Sequence, residues 1–357
     1  MNWQFLLITL IKIVCVIVPV LTMVAYAVLA ERKISAWIQD RVGPNRTAPP
    51  LALKIPVVGR LLQSWGIFQP MADGLKFLLK EDFMPNYVRK AYFWLAPAIT
   101  MIPAFLVLAV IPFGSKLGNE PMVIADLNVG ILYTFGIVSL GVYGIVLAGY
   151  ASNSKYPFLG GIRSSAQMIS YEISMGMSVI PLFLIVGDLN LSQVITWQAN
   201  NGWLVFYSPI SFFIFLIAAF AETNRLPFDL PESETELVGG YHTEYSSMKF
   251  ALFFLGEYAN MIAGSAMMVT LFFGGWSFPG FDAAGHFWSQ HPYALGFCHI
   301  GIFLAKMLFF MGVFIWERWM LPRFRYDQLM DLGWRRFIPL ALANILVTAV
   351  VLWLKQS

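Results

Sequence analysis

The amino-acid sequence predicts an all-α polytopic membrane protein, with about eight transmembrane helices and an amphipathic interfacial helix in the first cytoplasmic loop. Two observations carry that reading. Hydrophobic residues make up 58% of the 357 and charged residues only 12%, with a mean hydropathy of +0.68, a composition no ordinary soluble domain carries. The apolar residues are also gathered into runs of about 20, the length a helix needs to cross the hydrocarbon core of a bilayer. These runs fall at about 4–30, 91–112, 129–150, 166–187, 203–221, 247–273, 294–316 and 337–354. They occupy most of the chain, so residues 1–357 are expected to form a single membrane domain. Each run should be helical, because backbone groups in hydrocarbon must bond internally and none of the runs alternates as a barrel strand would.

The first run resembles a secretory leader only at Ala25-Tyr26-Ala27. Residues 1–11 hold no Lys or Arg and the apolar stretch is too long, so a retained helix is expected, with Lys12 snorkelling outward. Orientation follows from charge. The loops 31–90, 151–165, 222–246 and 317–336 hold 18 of the 23 Lys and Arg. The opposite side contributes only Lys116, with Lys355 near the C-terminus. By the positive-inside rule the basic loops are cytoplasmic and both termini periplasmic, which suits a bacterial inner membrane. Within the first loop, Arg60–Lys80 carries apolar residues at helical spacing opposite Asp73, Lys76 and Lys80. That stretch reads as an amphipathic helix in the interface or against a partner, with Pro70 in its first turn. No internal repeat or pair of Gly/Pro-broken helices recurs, which weighs against a secondary carrier.

Several chemistries are excluded by composition. Cys15 and Cys298 are far apart with no CxxC, and His286, His291 and His299 lack ligand spacing, so no iron–sulfur cluster or metal site is expected on this chain. No nucleotide or flavin fingerprint is present. If redox chemistry occurs, its electron carriers belong to partners. The 31 Phe and 17 Met are read as helix packing and lipid contact.

Four features remain that need explaining. The loop 222–246 works against its own side's basic trend, with Glu222, Asp229, Glu232, Glu234, Glu236 and Glu244 against the single Arg225. A solvated acidic loop is the plain reading, but Leu226, Phe228, Leu230, Leu237 and Val238 are interleaved and need burial. Carboxylates held together out of water have raised, coupled pKa values and can exchange protons near neutrality. Directly after the first run, Arg32, Arg41 and Arg46 surround a Gly43-Pro44 corner beside Trp37. They are suited to anchor a polar headgroup or to pair with the acids, whereas Lys33 alone reads equally well as a juxtamembrane anchor. Glu172 lies about 9 Å inside the run that begins at 166, and Gly160-Gly161 before it would let another backbone approach closely. Finally, Glu257 and Lys306 lie about 15 Å deep in antiparallel helices and are expected to pair or to share a proton path.

Taken together, Glu31-Arg-Lys, Gln39-Asp-Arg-Val-Gly-Pro-Asn-Arg46, Phe68-Gln-Pro-Met-Ala-Asp-Gly-Leu-Lys76, the stretch 152–165, Gln167-Met-Ile-Ser-Tyr-Glu172 and the acidic loop 221–245 resemble the H subunit (NADH dehydrogenase subunit 1) of the proton-pumping NADH:quinone oxidoreductases, respiratory complex I. The resemblance runs from the first helix to the last. It implies a membrane-arm subunit, without a redox centre of its own, that forms part of a quinone chamber and couples quinone reduction to proton translocation. The quinone is implied as substrate at an interface with peripheral-arm subunits, and other membrane-arm subunits and lipid are implied as neighbours, with no nucleic acid. Carried over by position, the chamber wall includes Arg32, Trp37, Gln39, Arg41, Arg46, Phe68 and Asp73. The coupling acids are Glu31, Glu172, Glu222, Asp229, Glu232, Glu234, Glu236 and Glu244, to which Glu257 and Lys306 add from their depth. An insertion at 47–67 departs from the family pattern and bears on the chamber mouth. Two alternatives stand beside this reading: a subunit of the membrane-bound hydrogenase type, and a cation/proton transporter relaying through Glu172, Glu257 and Lys306.

Overall fold

A computed structural model describes residues 3–49, 58–118, 120–231, 234–278 and 292–356. Among these, seven helices are long and apolar enough to cross a membrane, and the only strands are the two-residue pairs β1 (Lys116–Leu117) and β2 (Glu120–Pro121). The protein is an all-α, multi-pass membrane protein. In chain order the elements are α1 (Trp3–Ile38), the short α2 (Val58–Trp65) and α3 (Gln69–Leu79), α4 (Lys90–Val107), α5 (Gly130–Ala151) and α6 (Lys155–Val186). Then come α7 (Leu191–Asn201), α8 (Leu204–Tyr207), α9 (Pro209–Glu222), α10 (Glu234–Leu237), a 3-10 turn (Gly240–His242), α11 (Ser247–Phe272) and α12 (Pro292–Met320). The chain ends with α13 (Tyr326–Asp331), a π-helical turn (Leu332–Phe337) and α14 (Ile338–Gln356).

One expected span differs. The run 203–221 is divided at Ser208, whose φ of −141° and ψ of 71° break the helix immediately before Pro209. Proline lacks an N–H and pushes its predecessor out of the α region, so the chain restarts there. The resulting α9 has 14 residues, about 21 Å at the α-helical rise, short of a full hydrocarbon crossing. At the other extreme, α1 continues past its apolar run to Ile38 and carries Glu31 and Lys33 into buried positions.

The helices surround α11. In its most apolar window 67% of the residues are buried, against 6% in α1 and 17% in the last span, so α11 is the pillar and those two face outward. Two of its aromatic residues, Phe253 and Phe272, are among the largest fully buried side chains. A polar group on such a helix has no bulk water to turn to and must find a protein partner or enclosed water inside the bundle.

The first long loop folds onto this frame. Gly66, with φ of +72°, turns α2 into α3, and a Cβ there would come within 2.5 Å of the Pro44 carbonyl oxygen. Helix α3 rests on α11, whose Ser247 hydroxyl lies 2.8 Å from the Phe77 carbonyl and 3.0 Å from that of Lys80. The expected insertion at 47–67 falls partly outside the described residues, and His286 and His291 lie wholly outside them.

The acidic loop is packed in the same way and is not freely solvated. Phe228, Leu230 and Leu237 are each under 5% exposed, whereas Val238, expected to be buried with them, is 65% exposed. Gln167 on α6 donates to the Ala221 carbonyl at 2.7 Å and the Phe228 carbonyl at 2.8 Å. The close approach expected at Gly160 is present, since a Cβ there would sit 2.8 Å from the backbone nitrogen of Tyr241. His242 is driven against Phe250 and Phe254, ring centroids 5.2 and 6.0 Å away, and burial lowers its pKa from 6.5 to about 4. An opened loop takes up the proton near 6.5 and the packed one only near 4, so loop docking is strongest above pH 6.5 and weakens as the pH falls toward 4. Limited proteolysis within 222–246 should therefore rise on acidification in the native protein and respond less in His242→Phe. Identical acid responses in the two proteins would refute this assignment.

Candidate functional site

A cavity of about 920 Å³ lies between α1, α3, α11 and the end of α12. Its walls are apolar over one part, with Val24, Val28, Phe77, Phe254 and Leu255, and polar over another, with Glu31, Arg32, Gln39, Arg41, Asp73, Tyr258 and Arg318. Four of the chamber residues nominated by sequence thus share it: Arg32, Gln39, Arg41 and Asp73. The other three do not line it. Arg32, Ser35, Ala36 and Gln39 recur at helical spacing and form one stripe of α1. Trp37 falls outside that stripe and is 54% exposed. Arg46 is exposed and offers its carbonyl to Gln63 at 3.2 Å, and Phe68 caps the start of α3.

The polar wall is held in place by its own bonds. Arg32 donates to Asp73 at 2.7 Å, and the Gln69 amide donates to the other Asp73 oxygen at 2.9 Å. Lys33, which sequence alone left undecided, is buried and donates to the carbonyls of Val42 at 3.1 Å and Ser64 at 2.9 Å. It staples the Arg41–Pro44 corner to α2.

Behind the cavity lies a buried charge network. Glu31, 5% exposed, accepts from Arg225 at 2.5 Å, from the Tyr258 hydroxyl at 2.7 Å and from Arg318. Arg225, 3% exposed, also reaches Glu257 at 2.7 Å, and its guanidinium sits 4.3 Å over the Tyr258 ring. Burial alone would favour loss of the Arg225 proton, but the carboxylates of Glu257 and Glu31 outweigh it and hold its pKa well above the ordinary value. Glu257 is therefore paired with the base of the acidic loop.

This corrects the expected Glu257–Lys306 pair. Lys306 instead donates to the carbonyls of Phe273, Gly275 and Ser277 at 2.7, 3.0 and 2.6 Å, beyond the far end of α11. Those carbonyls follow a helix C-terminus and have no intrahelical partners, which makes them strong acceptors for a cation.

Glu222 lines two small voids of about 40 and 20 Å³ inside the bundle, and Glu257 lines the smaller. Glu172 accepts a short hydrogen bond from Ser139 on α5, the residue next to Val138, which lines both voids. The remaining loop acids are dispersed. Asp229 meets Arg323 at 2.8 Å, Glu236 meets Arg163 at 2.7 Å, and Glu244 accepts from Tyr87 at 2.9 Å. Glu232 and the side chain of Glu234 lie outside the described residues. The structure thus answers Asp229, Glu236 and Glu244 each with a base or hydroxyl from another segment instead of gathering the loop acids together, while Glu222 has no such partner among the described residues. Tyr258, Arg318 and Arg323 were not singled out by sequence. The first adjoins Glu257, and the two arginines were visible only as anonymous positive-inside charges.

Comparison with known proteins identifies the chain's relatives. A family model described as NADH dehydrogenase matches residues 11–349. The chain is 44% identical over 357 residues to the first of the NADH-quinone oxidoreductase H subunits of Cytophaga hutchinsonii, covering 98% of each chain. It is 46% identical over 362 residues to the H subunit of the Flavobacterium psychrophilum enzyme, covering 99% of each. With the first of the Geobacter metallireducens H subunits it is 49% identical over 348 residues, covering 96% of each. The chain belongs to the NADH dehydrogenase family, among the H subunits of the NADH-quinone oxidoreductases.

Proposed function

We propose that this chain is the membrane-arm subunit that walls the quinone chamber of a proton-pumping NADH:quinone oxidoreductase and couples quinone reduction to proton translocation. The observation that carries the reading is that the 920 Å³ cavity shares Glu31, Tyr258 and Arg318 with the buried network of Arg225 and Glu257. A cavity apolar along one part and polar at another suits an amphipathic substrate with a greasy tail and a carbonyl-bearing headgroup. Arg32, Asp73 and Tyr258 supply the hydrogen-bonding groups at the polar part.

Electrons would arrive from a neighbouring subunit, so this chain's work is binding and electrostatics. Negative charge developing on the headgroup competes for Arg225 and Arg318, which now neutralise Glu31 and Glu257. A weakened hold on Glu257 favours its protonation, and the voids beside Glu222 lead that proton inward. On this reading the basic loops face the cytoplasm of a bacterial inner membrane, where peripheral-arm subunits dock, and the other helix faces meet further membrane-arm subunits and lipid.

Four outcomes test it. In the assembled enzyme a photoreactive quinone analogue should label residues of α1, α3 or α11 that line the cavity. Labelling confined to outer helix faces would end the proposal. Arg32→Ala should raise the KM for quinone roughly tenfold with a smaller change in kcat, since it removes a charged hydrogen-bond donor from a half-exposed pair that contributes little to folding. Arg225→Met should lower stability by about 3–5 kcal/mol, because it strands the Glu257 carboxylate in the bundle and strips Glu31 of one of its bases, and Arg225→Lys should restore only part of it. Thermal unfolding of the detergent-solubilised complex reads both, and unchanged melting of Arg225→Met would contradict the network's role. Glu222→Gln and Glu257→Gln should each depress quinone reduction and proton pumping together, measured in inverted vesicles.

A further inference from the structure

Helix α11 presents Glu257 and Asn260 one turn apart on one face. Asn260 lines both internal voids, and so does Glu222, whereas Glu257 lines only the smaller. A water molecule needs roughly 10–15 Å³ of such space, so the 20 Å³ void has room for one and the 40 Å³ void for two or three.

The polar groups around these voids are not equivalent. Thr100, Thr134 and Thr223 each donate to a carbonyl of their own chain segment, at 3.0, 2.9 and 3.1 Å. The Asn224 amide is engaged with Gln167 and Met168. Asn260 makes no hydrogen bond to any described protein group, and neither does Glu222. An amide in the middle of a membrane helix, without a protein partner, costs several kcal/mol unless water satisfies it. Asn260 faces both voids and can donate to water in one while accepting from water in the other.

We propose that Asn260 is a positioning residue for proton transfer, orienting the water that links Glu257 to Glu222. This inference rests on the proposed coupling function and adds a residue that carries no proton itself. In the transfer, the Glu257 carboxyl gives its proton to the adjacent water as that water releases another toward Glu222. Each water ends with two O–H bonds, and one proton has moved between the two carboxylates. The Asn260 amide stays neutral throughout and fixes the lone pair and the O–H of the water along that line.

The voids can also be filled without touching a titratable group. A Cβ built on Gly141, in the smaller void, or on Gly264, in the larger, meets no atom within 4 Å. Alanine fits at either position, and in a helix it is favoured over glycine. Its methyl occupies the space of about one water.

The test uses the whole enzyme complex in inverted membrane vesicles, with assembly checked by NADH oxidation with a soluble electron acceptor. Asn260→Leu, similar in volume and without an amide, should lower quinone-reductase kcat about tenfold, the loss of one hydrogen bond to a reacting group. The KM for quinone should not change, and the solvent deuterium isotope effect on kcat should rise because proton transfer becomes limiting. Asn260→Ser, which keeps a donor and an acceptor, should recover most of the rate. Gly141→Ala should reproduce the kcat loss and the raised isotope effect, and if Asn260→Leu fails to assemble this variant alone decides. Native kcat and isotope effect in Asn260→Leu, or in an assembled Gly141→Ala, overturn the inference. If Glu222→Gln and Glu257→Gln lose pumping while the Asn260 and Gly141 variants keep it, the coupling function stands and the role of Asn260 falls. If the glutamate variants also pump normally, the coupling function itself falls.

Discussion

The arrangement depends on one buried guanidinium. Arg225, 3% exposed, is held between Glu31 at 2.5 Å and Glu257 at 2.7 Å. A charge at that depth is tolerable only with well-placed opposite charge. Satisfying it draws α1, the acidic loop and α11 to one point, and Arg318 brings in the end of α12. With Arg318 the group holds two acids and two bases, close to neutral as a set. Adding or removing a single charge nearby therefore disturbs all four, and a set balanced in this way responds to its neighbours far more than an isolated surface pair would.

Helix α11 divides what this set controls. Consecutive residues on a helix point about 100° apart, so Tyr258, Phe254 and Leu255 face the large cavity while Glu257 and Asn260 face the internal voids. Arg225 closes over this boundary, bonded to Glu257 and stacked on the Tyr258 ring. The cavity and the voids are thus separated by a helix but joined through charge. The coupling proposed above would need no opening between the two spaces.

Much of the fold was legible because membrane helices announce themselves by composition. The apolar runs marked the long helices, and Gly160 marked a close backbone approach. What sequence could not show was rotation. Nor could it fix depth: the run boundaries set Glu257 and Lys306 level, but the helix carrying Lys306 continues to Met320 and Lys306 reaches the carbonyls beyond Phe272, at the end of α11 away from Glu257. Trp37 fell off the cavity stripe because an apolar run does not fix the rotation of its helix. The acidic loop was legible as a set of charges needing partners, yet those partners are Arg163, Arg323 and Tyr87, which no local pattern links to it. The break at Ser208 was concealed because the run 203–221 is apolar on both sides of Pro209.

The bonds at the two ends of α11 limit how coupling can work. At one end Ser247 is bonded to the last turns of α3, and the buried Lys249 meets Asp82 at 2.8 Å and lies 3.9 Å from the Trp94 ring. At the other, Lys306 grips three carbonyls, and Gln198 bonds both the Thr270 carbonyl and the Gly274 nitrogen, each at 2.9 Å. Sliding the helix would break these contacts together, at a cost well above that of moving a proton between paired groups. The middle of the helix, with Gly264 and Asn260 beside open space, has room for side chains and water to rearrange. On the proposed function, a signal from the cavity would therefore pass this pillar as a redistribution of charge and hydrogen bonds, with the helix itself staying in place.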